Sequence, residues 1–455
     1  MLFRARTHTR SWVLSLTAFG ALIGLLGCED SNGGGARADG ARDASADGAV
    51  TEGPFPAAED WSSDILDIDL TVDVETLAAQ ARIRLDQGTT TAASFEAGGL
   101  TVRAVHSAAG PLDFRVVDGR LDVGLPSRTR PAEIVVDYDI AVQSRFVGLL
   151  GNGSTNTWPC CCDNLFPCRS TPSEGQTFGL EVTGVGSGEA AVHPDRIVTD
   201  APAYQLAWAV GDYAYTELGS TTAGTAVGYF ALPGGDADAA AGTAHLIAVF
   251  DWLERTLGPY PFGDRVGPVA VAWGPEAFLG GMEHHPYWHI AQGSMAHEPT
   301  QAHEAVHGWF GDGVRIACWE ELVLSEGTVT YLTARAIGHA VDAAAEALVW
   351  TSYDRALDDL IATGDRIAWP DGCGALRGSD PSAFNVAAYY KGAFFYRSLA
   401  EASSHDAVDA ALGSFVRTHV GQAARMQDLL DHLAAETGVD PTALADAWLR
   451  SLGRP

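Results

Sequence analysis

Residues 66–74 alternate without a break. Leu66, Ile68, Leu70, Val72 and Val74 are apolar, and Asp67, Asp69, Thr71 and Asp73 stand between them. A period of two turns one face of an extended chain to a core and the other to water, so this stretch predicts a half-buried strand. Residues 81–85, 100–105, 134–138 and 178–182 continue the theme, with Gly and Pro between them. Residues 54–218 are therefore expected to form an all-β domain, a curved sandwich or saddle.

The period lengthens near residue 238. Leu246, Phe250, Leu253 and Leu257 fall at helical spacing, which predicts a helix over 239–257 that stops at Gly258-Pro259-Tyr260-Pro261. A short buried strand is expected at 266–272 and an edge strand around 280–284. Long helices are expected over 299–310, 325–361, 387–403 and the carboxy terminus. The whole is α+β, with a mainly helical domain spanning 219–455 after the β domain.

The helix expected at 299–310 carries chemistry. Its sequence includes His303-Glu304-Ala305-Val306-His307, with Pro299 near its start and no breaker until Gly308. Positions i and i+4 share a helix face, so His303 and His307 can present two imidazole nitrogens to one metal ion. Glu304, beside the first ligand, can reach a metal-bound water as general base without binding the metal itself. A catalytic zinc site needs three protein ligands and an open position, and Glu326 in Leu324-Ser325-Glu326-Gly327 is the third candidate. One zinc ion is the expected cofactor. Bound zinc would lower the pKa of water and polarise a carbonyl, which points to peptide-bond hydrolysis. The oxyanion formed needs a second donor, and Tyr389 in Ala388-Tyr389-Tyr390-Lys391-Gly392-Ala393 is the candidate. Lys391 is the only lysine of the chain.

Four blocks resemble the aminopeptidase N family of thermolysin-like zinc peptidases. HEAVHGWFGDGV from His303 is similar to its HExxHxWFGxxV, and WEELVLSEGTVTYL from Trp319 to its WxDLWLNEGFAxYL. YYKGA from Tyr389 resembles its YxKGA, and GGMEH from Gly280 its substrate-binding GAMEN. Weaker similarity reaches back to about residue 60. The resemblance implies a thermolysin-like catalytic domain, a transition-state role for Tyr389, and a free-amine site at Glu283. Gly280, Gly281 and Met282 would pair with substrate backbone. Peptides are the substrates it implies, cut at their amino-terminal residue.

Departures accompany it. His284 stands where the family has Asn, and the family's amino-terminal-domain residue near the substrate amine has no counterpart in the segment 152–162 that sequence alone can name. The chain runs to Pro455, which resembles the close of the catalytic domain, without the β and helical domains that cap the cleft in larger relatives. An open-cleft endopeptidase is thus an alternative, and a peptide-binding surface protein a further one. His285, His289 and His297 are left out of the metal set. Glu321 is a candidate for orienting a zinc-bound imidazole.

Composition bears on compartment and partners. Arg4, Arg6 and Arg10 precede an apolar run over 12–26, which ends in Leu25-Leu26-Gly27-Cys28. The run is short for a membrane span and resembles a lipoprotein signal over residues 1–28, with Cys28 becoming the lipidated first residue of the mature protein. Residues 29–53 are Gly, Ala, Asp and Ser with few large apolar side chains, which predicts a disordered tether. The expected product is exported and membrane-anchored through its lipid. Six further cysteines, Cys160, Cys161, Cys162, Cys168, Cys318 and Cys373, suggest disulfides. Cys318 and Cys373 are placed to pair, whereas the adjacent cysteines are expected to find partners further away. The net charge of −30 argues against nucleic-acid binding.

Overall fold

A computed structural model describes residue 55 and residues 59–455, apart from 87, 126–131, 145, 158–159, 274–279 and 381. The signal, tether and Cys28 expectations lie outside the described residues. Among those described, no helix is long and apolar enough to cross a membrane.

The alternating run forms the strand Ile65–Asp73, with Ile68, Leu70 and Val72 buried. It pairs antiparallel with Ala78–Leu85 and parallel with Gln176–Thr183. These strands sit in a seven-stranded sheet with Ala132–Asp139, Thr101–Ser107, Gly110–Pro111 and Arg196–Ala201. A three-stranded sheet of Ala92–Glu96, Phe114–Val117 and Arg120–Gly124 shares its core through Phe95, Leu121 and Val123. Asp67 keeps to the polar face with Asp69, both carboxylates on Arg196, and is buried there because Thr177 and Arg196 cover it.

The strand that straddles residue 218, Ala214–Ser220, pairs with Ala226–Ala231 and belongs to a second sheet. That sheet runs Ala214–Ser220, Ala226–Ala231, Val269–Val271, His289–Ala291 and, at its edge, Gly281–Met282, with Arg265–Val266 beside Ala226–Ala231. The helical domain thus begins a few residues earlier than the hydrophobic pattern suggests. Its buried apolar side chains join those of the β domain in one continuous core.

Three elements differ from expectation, each for a local reason. The helix expected over 239–257 is two helices, Asp236–Gly242 and Leu246–Leu257. They part at Gly242, where a Cβ would come within 1.9 Å of the Met295 carbonyl oxygen. The strand expected over 266–272 is interrupted at Gly267-Pro268, where proline has no N–H for a ladder. The long helix expected over 325–361 is a π-helical turn, Val323–Gly327, then Thr328–Ala340 and Ala343–Gly364. Asp342 caps the last of these by accepting the Ala345 N–H at 2.8 Å.

Cys318 pairs with Cys373. The expectation for the cysteine run is corrected: Cys160 pairs with its neighbour Cys161, and Cys162 with Cys168. Cys161 takes a left-handed backbone, φ 78°, which turns the two adjacent side chains together. This leaves Cys162 to the partner six residues on.

Candidate metal and peptide site

The helix Glu298–His307 lies against the edge strand Gly281–Met282 and the helix Thr328–Ala340. It carries His303 and His307 one turn apart, and the π-helical turn brings Glu326 to them. The Nε2 atoms of the two histidines are 3.3 Å apart. Oε2 of Glu326 lies 3.3 Å from one and 3.5 Å from the other. Ligand atoms on one face of a zinc tetrahedron, with bonds of about 2.0–2.1 Å, lie about 3.3–3.4 Å apart. The triangle has that size.

The proton positions agree. Nδ1 of His307 donates to the Phe310 carbonyl at 3.0 Å, so Nε2 turns its lone pair to the triangle. Glu326 Oε2 is buried and makes no hydrogen bond among the described residues. Two imidazole nitrogens and a carboxylate oxygen converge on one point inside the protein, where a bound cation would satisfy all three. Burial disfavours a charged His307, yet Glu326, Glu283 and Glu304 outweigh it and raise its pKa to about 10. The donor set, two imidazoles and a carboxylate, suits zinc.

The remaining residues gather around the triangle. The ligand-capable atoms of Glu283, Glu304 and His307 lie within 4.8 Å of one another, all three residues buried. Burial raises Glu304, opposed by His307 and reinforced by Glu283. Burial likewise lifts Glu283 to about 7, with His307 opposing and Glu326 adding to it. Tyr389, on the helix Val386–Ala402, stacks parallel to the His303 ring with centroids 5.9 Å apart, and burial and then the Glu326 charge hold its hydroxyl protonated. Gly281 fits only as glycine, since a Cβ would lie 2.6 Å from Cγ and Oε1 of Glu304. Gly280 precedes it, its carbonyl accepting the Ala291 N–H at 3.1 Å, and Met282 is buried.

Other expectations change. Glu321 does not approach an imidazole: its carboxylate accepts the Met426 N–H at 2.8 Å, where the helix Met426–Thr437 begins. The Phe310 carbonyl orients His307 instead. His285 stays out of the metal set but supports the site, donating from Nε2 to the Glu304 carbonyl at 2.7 Å. That carbonyl lies in the last turn of its helix, where acceptors lack helical partners. Tyr260 donates to Nδ1 of the same ring at 2.7 Å. His289 donates to the Thr155 carbonyl at 3.2 Å.

The β domain forms one wall. The Tyr204 carbonyl accepts from His284 Nδ1 at 2.9 Å and from the Thr157 hydroxyl at 3.1 Å. The Gln205 side chain donates to the His285 carbonyl at 3.1 Å, and the Tyr204 hydroxyl to the Gly311 carbonyl at 3.3 Å. His284, where the resemblance led to Asn, thus braces the edge strand against the β domain. Asp312 is a fourth carboxyl of the neighbourhood, fully buried, with neither oxygen hydrogen-bonded among the described residues. Burial and then Glu283 push its pKa upward. No local sequence signal marks the roles of Tyr204, Gln205, His285 or Asp312, since each arises from a contact distant in the chain.

Comparison with known proteins agrees with this geometry. Residues 282–448 match the family model described as the Peptidase family M1 domain. Glutamyl aminopeptidase of Bitis rhinoceros is 22% identical over 344 residues, covering 66% of this chain and 34% of that protein. Leucine aminopeptidase 2 of Aspergillus oryzae is 25% identical over 325 residues, covering 64% of this chain and 51% of that protein. The chain therefore spans a third to a half of the length of these curated relatives. The crystal structure of the M1 zinc metallopeptidase from Deinococcus radiodurans superposes with a TM-score of 0.73 at 17% identity, covering 87% of this chain and 95% of that one. Legionella pneumophila aminopeptidase A in complex with aspartic acid gives 0.73 at 15% identity, covering 86% of this chain and 50% of that one. The fold is that of the two-domain zinc metallopeptidases. Residues 282–448 are thus similar to the M1 peptidase domain, in agreement with the resemblance of the sequence blocks to the aminopeptidase N family.

Proposed function

We propose that this protein hydrolyses peptide bonds with one zinc ion and releases amino-terminal residues. The observation that carries the reading is the closeness of Glu283 to Glu304 and His307. In a peptide the α-amino nitrogen is about 2.5 Å from its own carbonyl carbon, as bond lengths of about 1.5 Å dictate. A carboxylate this near the base can hold only the ammonium of the residue whose carbonyl is attacked. The first peptide bond is therefore the one presented.

Each residue has a task. His303, His307 and Glu326 would hold the zinc, which when bound supplies Lewis-acid polarisation and lowers the pKa of water. Glu283 pairs with the substrate ammonium and fixes its distance from the base. The free edge of Gly281–Met282 accepts the extended substrate as an added strand. Glu304 removes a proton from the attacking water and delivers it to the departing amine. The Tyr389 hydroxyl donates to the oxyanion, and burial keeps it protonated so that it brings no charge. Support comes from relatives named as aminopeptidases and from a solved M1 metallopeptidase mutant of Deinococcus radiodurans bound to a Tyr-Ser-Ala substrate.

Aminoacyl arylamides and the same peptides with acetylated amino termini test the reading, with Glu304→Ala as control. The free-amine substrates alone should be cleaved, and Glu283→Gln should raise their KM at least tenfold. Cleavage of the acetylated peptides would make the protein an endopeptidase instead. Silence on both, with zinc bound, would favour a peptide-binding role.

The same reading extends to location. The amino-terminal residues support export and a lipid anchor on Cys28, held from the membrane by residues 29–53. Cys28→Ser expressed in a lipoprotein-processing bacterium should release the protein from the membrane fraction. Retention there would defeat the anchor.

A further inference from the structure

Lys391 is the sole lysine of the chain, every other Lys or Arg position being arginine. It is fully buried, two residues beyond Tyr389. Residues two apart on a helix point to opposite sides, so Lys391 lies behind the helix whose front carries the phenol. Its ammonium lies 2.7 Å and 3.0 Å from the two oxygens of Asp365. It also donates to the carbonyls of Arg366 at 3.1 Å and Ser451 at 2.9 Å. Asp365 in turn accepts the backbone N–H groups of Arg366 and Gly453. One ammonium thus joins three segments: the exit of Ala343–Gly364, the helix Val386–Ala402, and Ser451 to Gly453.

The front of the same helix has a different contact. Gly392 meets Gly327, next to the ligand Glu326, so closely that a Cβ on Gly392 would lie 2.5 Å from the Gly327 Cα. Glycine on glycine allows close approach but offers no side chain to resist sliding or rotation. A buried ammonium has the opposite character. It costs several kcal/mol to desolvate and is stable only with its acceptors in place, so it specifies position more than it adds stability. Its three donors, set around a single nitrogen, suit one carboxylate and two carbonyls, a geometry that a planar guanidinium does not match.

We infer that Lys391 is a positioning residue. Clamped to Asp365 and to the Ser451 carbonyl, it holds the helix at the one rotation and height that keep the Tyr389 ring stacked on His303 at the site. The inference rests on the proposed role of Tyr389 in stabilising the oxyanion.

The test is a double-mutant cycle of Lys391→Met with Tyr389→Phe, read by kcat and KM on an aminoacyl arylamide, with zinc content measured for each variant. A helix displaced by about 1 Å should lower kcat roughly 10- to 100-fold. KM should stay within about twofold and zinc should be retained. In the Tyr389→Phe background the same substitution should cost less than about twofold, because no phenol remains to be misplaced. A loss that multiplies in full in the double variant, or an unchanged kcat, overturns the inference. If Lys391→Met does not fold, Asp365→Asn takes its place in the cycle. A crystal structure of the single variant supplies a readout independent of turnover. A Tyr389 ring moved off its stacking on His303 supports the clamp, and an unmoved one defeats it. If the unaltered chain cleaves no arylamide, the functional reading fails, and the crystal structure still decides the positioning.

Discussion

Gly327 and Gly392 pack backbone to backbone, and through that contact the turn bearing Glu326 and the helix bearing Tyr389 approach each other. A Cβ on Gly327 would lie 2.8 Å from the Gly392 Cα and 2.9 Å from the Ala388 carbonyl oxygen. Backbone atoms cannot yield as a flexible side chain would. Gly392→Ala is therefore expected to cost about 1–3 kcal/mol of stability by overpacking. It should also lower kcat more than it raises KM, by separating the phenol from the metal ligand. Denaturant unfolding and steady-state kinetics on one preparation check both parts, and native values in both would refute the account.

Gly281→Ala should act differently. The methyl group would meet the Glu304 side chain rather than backbone, and so displace its carboxyl. The variant is expected to fold and to bind zinc. Its kcat/KM should fall by about 100-fold, the scale of a 1 Å misplacement of a reacting group. Retained activity with the methyl group in place would mean that Glu304 is not held where the base must act.

Removing the metal should affect stability as well as turnover. An ion bound only by the native state stabilises it by about 2.7 kcal/mol when present at 100 times its dissociation constant. Without it, the His303, His307 and Glu326 ligand atoms face one another at 3.3–3.5 Å. Chelation is expected to abolish hydrolysis and lower Tm, and added zinc to restore both. Unaltered Tm and activity, in protein shown by elemental analysis to be metal-free, would rule out the centre.

Glu96 lies far along the chain from the metal ligands. Burial raises its pKa to about 7, against the Ser170 hydrogen bonds and with Asp163 adding to the rise. The folded state thus binds this proton more tightly than the unfolded chain, whose value is near 4.5. The contribution to stability is complete below about pH 4.5 and is lost as pH rises through about 7. Between pH 5 and pH 8 the native chain should lose on the order of 1–3 kcal/mol more than Glu96→Gln. Urea unfolding of both at the two pH values measures the difference, and equal losses would show that Glu96 titrates normally.

The sequence pattern reached the strands well because alternation leaves little choice of face. Residues 66–74 are one residue off the observed Ile65–Asp73. The pattern failed where one glycine decided. Gly242 looks tolerable inside a helix until Met295 closes on it from another element. Adjacent cysteines likewise looked unlike partners, because local strain is visible in sequence while the left-handed turn at Cys161 is not.

For the candidate site, the chain itself contained the two imidazoles, the adjacent base and, nineteen residues beyond His307, the glutamate, and helical periodicity ties i to i+4 wherever the helix lies. The motifs also named Tyr389 and Glu283 as candidates, without the distances that bring them together. Only tertiary structure decided those distances and the supports behind them: Phe310 orienting His307, His285 under the Glu304 carbonyl, Tyr204 and Gln205 of the β domain bracing the edge strand, and Lys391 joining three segments. A ligand's periodicity is written within one helix, but a hydrogen bond between residues 80 apart exists only once the sheets and helices have packed, and its energy belongs to that packing.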